Sequence, residues 1–268
     1  MMFRDRRHLR AVVAIVAAMA VAGACSKKKA EKENAGETAA PVEDAPPIVV
    51  AMTDAHGGMV GWRTAQSISF TVEMAGGASD STVAVYETTV DPANGRMMVD
   101  VAGTEQRMGW DGTRVWSLNW NQPYAPGFLA EMNYYLLNLP FLAMDPDAKL
   151  AVSAPDTLWG DSTAYRVVKM TPASRRGVRP GSYRLYIDPD SKHLRACTFA
   201  AAPAGGASQQ LLLRFEEYAR TDGMLLPSKL TMYAGDYTPV VVATFRDWKL
   251  DRPFDASRAA MPDSAVTE

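Results

Sequence analysis

From Ile68 onward the chain alternates apolar and polar positions. Ile68, Phe70, Val72 and Met74 are interleaved with Ser69, Thr71 and Glu73, the period-two pattern of a strand with one buried face. Thr82 to Val90 repeats the pattern. After the turn-forming run Asp91 to Gly95, Arg96 to Val101 follows with Met97, Val99 and Val101 on one face. Glu105 to Trp110 and Thr113 to Trp120 flank Asp111-Gly112, the pair a tight type I′ hairpin prefers. Further on, strands are expected at Ala164 to Met170, Ser182 to Asp188, His193 to Ala200, Gln209 to Tyr218, Leu225 to Tyr233 and Pro239 to Leu250. Gly160-Asp161, the run Asp188 to Ser191, and Asp222-Gly223 mark turns between them.

The alternation breaks between Pro123 and Pro146. There Phe128, Met132, Tyr135 or Leu136, and Leu139 recur at helical spacing, Pro140 is read as closing the helix, and Met132 to Met144 contains no charge. At 13 residues this run is too short to span a bilayer, so it lies against an apolar surface of the same protein. Near the start, Pro46-Pro47 and the apolar run Ile48 to Met52 predict one or two helical turns. Gly57-Gly58 stops them, and a second short turn carries Trp62 onto the core. The expected fold is mainly β within the α+β class: a single curved antiparallel sheet of about ten strands, with an N-terminal helix and a central helix over its open side.

Everything before residue 48 is of another kind. Arg4, Arg6, Arg7 and Arg10 precede the apolar stretch Ala11 to Val21, and Ala22-Gly23-Ala24 leads directly to Cys25. A basic segment, an apolar segment and small residues before a cysteine resemble the bacterial lipobox, which implies cleavage after residue 24 and a diacylglyceryl anchor on Cys25. Ser26 after that cysteine fits sorting to the outer membrane, facing the periplasm. Residues 25–47, rich in Lys, Glu, Ala and Pro without apolar periodicity, read as a flexible tether. Residues 48–252 form the folded domain, and 253–268 a poorly ordered tail. The signal region removes a surplus of three positive charges from a net −2, leaving −5, and an acidic protein of this kind has no electrostatic footprint for nucleic acid. With Cys25 acylated, Cys197 has no partner for a disulfide and reads as an inert buried thiol.

Catalytic and metal-binding patterns are weak. Asp54 and His56 invite an acid/base pairing, but at a separation of two on a helix they point to different faces; Asp54 reads as solvated and His56 as closing the helix. His56 and His193 sit in no ligand-spaced cluster, and neither a nucleophile elbow nor a phosphate-cradling glycine loop is present. No catalytic residue, metal ligand or cofactor is assigned.

Several phrases carry a family resemblance. Ala55-His56-Gly57-Gly58 followed by Trp62, the run Tyr134 to Phe141, Asp145-Pro146, the run Tyr186 to Pro189 and the run Gly223 to Lys229 occur in an order similar to an uncharacterised bacterial lipoprotein family near the LolA/LolB superfamily of periplasmic lipoprotein carriers. That resemblance implies an unclosed half-barrel with a helical lid, whose inner face holds acyl chains. Phe70, Met97, Trp110, Trp116, Trp120, Phe128, Met132 and Tyr135 are expected to line the cavity, with the 15 methionines of the chain adding adaptable side chains. Arg175, Arg176 and Arg179 crowd one turn and are candidates to grip a lipid phosphate at the rim, or to be solvated hairpin tips. Three functions stay open: a membrane-anchored binder of a lipid, a lipoprotein acyl chain or another amphipathic ligand; a structural or assembly lipoprotein acting on an envelope protein partner; and an enzyme with a diffuse site.

Overall fold

A computed structural model describes residues 45–77, 82–172, 181–201 and 209–267. Pro47 pre-sets the first turn of helix α1 (Pro47–Ala55), where a missing N–H costs nothing. His56 ends it, and Gly57, at φ +113°, turns the chain into α2 (Gly58–Thr64). A side chain at Gly57 would meet the Met224 backbone at 2.9 Å, and the amide of Leu225 donates to the His56 carbonyl at 3.0 Å. The two turns and the buried Trp62 thus follow the sequence expectation.

Among the described residues thirteen strands follow in one sheet: β1 (Ile68–Gly76), β2 (Thr82–Asp91), β3 (Arg96–Val101), β4 (Arg107–Trp110), β5 (Val115–Leu118), β6 (Lys149–Asp156), β7 (Tyr165–Thr171), β8 (Tyr183–Ile187), β9 (Leu194–Ala201), β10 (Gln209–Thr221), β11 (Met224–Tyr233), β12 (Pro239–Leu250) and β13 (Val266–Thr267). Their spatial order is β13-β5-β4-β3-β2-β1-β12-β11-β10-β9-β8-β7-β6, antiparallel throughout. The two meanders join where β1 pairs β12, while β13 and β6 are left at the edges, so the sheet is a half-barrel that does not close.

This order dictates where the central helix must run. β5 and β6 are consecutive in sequence but lie near opposite edges, so the chain between them has to cross the sheet. It crosses as α3 (Pro126–Ala130), a π-helical segment (Glu131–Leu136) and α4 (Leu137–Leu142), continuous from 126 to 142. Pro140 does not close this helix; it lies inside α4. A proline ring displaces the carbonyl four residues back, here Leu136 at the end of the π segment, so both departures from α geometry are gathered in one place.

Other differences have local causes. The β4–β5 loop is Gly112-Thr113, not a type I′ Asp111-Gly112 turn: Gly112 has φ +96° while Asp111 stays out of the positive-φ region and its carboxylate accepts the amides of Thr113 and Arg114. Asp222-Gly223, with φ of 49° and 84°, is the type I′ turn, between β10 and β11. The tail expected after residue 252 folds back: α5 (Ala256–Ala259) covers Met98 and Trp116, and β13 pairs with β5. No helix among the described residues is long and apolar enough to cross a membrane.

Candidate functional site

The inner face of the sheet and the central helix enclose one continuous apolar cluster. It draws Phe70, Val72 and Met74 from β1, Met97 and Val99 from β3, Trp110 from β4, Leu213 from β10 and Phe245 from β12, among others. Phe128, Met132 and Tyr135 reach into it from the helix, so Phe70, Met97, Trp110, Phe128, Met132 and Tyr135 share one cluster. Trp120 is half-buried against the same cluster; its Nε1 donates to the Tyr124 carbonyl at 3.0 Å and its ring stacks on Tyr86.

Trp116 does not join them. Strand alternation sends it to the outer face, where its ring lies over Gly109 and its Nε1 donates to the Ala259 carbonyl at 2.9 Å. A Cβ at position 109 would come within 2.4 Å of that indole. Arg175, Arg176 and Arg179, like Cys25, lie outside the described residues.

The helix covers the open side of the sheet and packs directly against it. Its residues are buried on every side, Leu129, Asn133, Tyr134, Leu137 and Asn138 as well as the apolar stripe, so it fills the half-barrel as a plug. Trp110 meets Tyr134 edge-on at 4.8 Å. At the other end Trp62 stacks on Phe141, with ring centres 4.7 Å apart and planes within 2°, and Thr53 Oγ1 donates to the Pro140 carbonyl at 2.6 Å. Between the helix and β1, β2, β11 and β12 remains a cavity of about 10 Å³, room for a single water. Asn133 and Asn138 both line it. Five residues apart on an α-helix, they would be separated by about 140°; the wider π turn brings them to one side.

Two ionisable groups matter here, Glu131, half-buried on the helix, and His56, fully buried at the α1 end. Burial raises the Glu131 carboxyl above its ordinary range, although Tyr183 Oη donates to it at 3.3 Å. His56 is 1% exposed and burial lowers its imidazole to about 4. Its Nδ1 donates to the Met52 carbonyl at 2.8 Å, and its ring meets those of Tyr218 and His193 at 5.4 and 5.7 Å. Asp54 faces solvent and plays no part in orienting it, so the two do not form a dyad. Cys197 is buried in the core, where desolvation pushes its thiol up. Among the described residues no group of three or more His, Cys, Asp or Glu could hold a metal.

The sequence reading passed over Asn133, Asn138, Glu131 and Trp248. Two asparagines in the uncharged run Met132 to Met144 were the available signal. Trp248 had none: Asp247, at φ +58°, stands where the β1–β12 register shifts, and this bulge puts Phe245 and Trp248 on the same face although they are three apart.

These features define a class: an unclosed antiparallel half-barrel wrapped around one crossing helix. The chain has the LolA-like fold. A LolA superfamily protein from Nitrosomonas europaea superposes with a TM-score of 0.53 at 14% identity, covering 83% of this chain and 99% of that one. A DUF1329 family protein from Desulfovibrio piger matches at a TM-score of 0.42 and 13% identity, over 79% of this chain and 97% of its own. A Vibrio parahaemolyticus domain described as an outer membrane lipoprotein-sorting protein matches at 0.42 and 10%, over 78% and 92%. No protein-family model matches the chain, and no curated protein is similar to it in sequence.

Proposed function

We propose that this chain is a cell-envelope protein, tethered through an acylated Cys25 to the outer membrane on its periplasmic side, that shelters the acyl chain of a lipid or lipoprotein between its sheet and its central helix. The observation that carries this reading is an unclosed sheet whose inner face is predominantly apolar and is covered by one helix. That helix carries a π segment and a proline, the places at which a helix bends. An acyl chain occupies the space the helix leaves, against Phe70, Met97, Trp110 and the helix residues Phe128, Met132 and Tyr135. Arg175, Arg176 and Arg179 are kept in this reading as contacts for an anionic headgroup. Catalysis is not part of it.

One observation favours a second reading. The cavity under the helix has room for only about 10 Å³, as in a structural or assembly lipoprotein that works through its surface. Native mass spectrometry of the protein extracted from a bacterial envelope, with uptake of fluorescent fatty acid and phospholipid, separates the two. Co-purified lipid and saturable uptake are expected. A ligand-free protein with no uptake sinks the acyl-chain reading, and a single reproducible crosslinked protein partner would then favour the second.

A further inference from the structure

The cavity under the central helix is small, but it is not apolar. Asn133 is 1% exposed, and neither its Oδ1 nor its Nδ2 finds a partner within the protein. Trp248 Nε1, across the cavity, is also buried without one. Asn138 spends its Nδ2 on the Tyr134 carbonyl. Ile68, Phe70, Val90, Leu137, Leu226 and Pro227 make up the remaining wall. A buried amide with no partner is costly and uncommon, and here it sits on a π turn, itself a strained element that concentrates at functional sites. Neither feature is needed to fill a core, since leucine at 133 would pack there with no polar atom to satisfy.

We propose that Asn133 and Trp248 form a subsite for the carbonyl of an ester or amide, so that an acyl ligand is recognised at its linkage as well as along its chain. The indole offers a donor only and the amide one donor group and one acceptor, a set that takes a carbonyl oxygen together with an amide N–H or a glycerol hydroxyl. The cavity has room for one water-sized group, so of these it is the carbonyl oxygen that enters it. This inference rests on the acyl-chain reading.

The test uses the full chain and two fluorescent probes of equal chain length, a monoacylglycerol and an alkane without the ester. Wild type is expected to bind the ester probe at least tenfold more tightly. Asn133→Leu and, separately, Trp248→Phe should reduce ester binding to the alkane level while leaving alkane binding within twofold. Asn133→Leu removes an unsatisfied group, so its thermal midpoint should not fall, and Trp248→Phe is the second variant if it does. Equal binding of both probes by wild type, or unchanged ester binding in both variants, overturns the subsite and leaves a structural water in its place. Uptake of neither probe overturns the acyl-chain reading and the subsite with it.

Discussion

Trp110 and Trp116 stand on neighbouring strands, both fully buried, on opposite faces of the sheet. Trp116, on the outer face, is finished: Gly109 makes room for its ring, Met98 and Ala259 cover it, and its N–H has an acceptor. Trp110, on the inner face, packs on Tyr134 and Tyr135 but its Nε1 has no partner. The same holds for Thr88, Asn133 and Trp248. Equal burial therefore hides a difference in kind. The outer cluster is closed chemistry that holds the C-terminal segment down, while the inner one keeps polar atoms unspent.

The largest effect that would sharpen this contrast comes from Trp116→Ala. It should cost about 3–5 kcal/mol in denaturant unfolding and release the C-terminal segment to protease, while acyl uptake per folded molecule stays unchanged. Lost uptake would show that the outer face also serves the ligand. Next comes pH. His56 is held near 4 in the folded state, against 6.5 when exposed, so between those values the unfolded chain binds the extra proton and stability falls as pH falls. About 3 kcal/mol should be lost from pH 6.5 to pH 4, and His56→Gln should remove that part of the slope in urea titrations. Smallest is the comparison of Trp116→Phe with Trp110→Phe. The first leaves the Ala259 carbonyl unpaired and should cost about 1–3 kcal/mol more than the second, which has no hydrogen bond to lose. Equal losses would erase the distinction between the faces.

Much of this architecture was legible because one-sided burial writes itself as alternation. β1 is the clear case, with Ile68, Phe70, Val72 and Met74 all buried and the residues between them half-buried. Where burial is two-sided or absent the code fails. Met98 sits between Met97 and Val99 and is buried as well, because α5 covers the outer face there. β6 went unread because none of its residues is fully buried: Val152 is 59% exposed and Pro155 argues against a strand. For the site, the uncharged helix pointed to the right place. Its π turn, and the bulge that turns Trp248 inward, depend on partners far along the chain and leave no local signal.

The two-residue strand β13 has a consequence of its own. A sheet that does not close exposes two rows of unpaired amides and carbonyls, each a template on which further copies can stack. At one edge β6 discourages this with Lys149, Pro155 and a register irregularity between Ser153 and Asp156. At the other, the chain supplies its own cover: Val266 and Thr267 pair with Ser117 and Trp116, and α5 packs close by. The segment from Phe254 to Thr267 thus covers an edge that would otherwise be free to pair with a further strand.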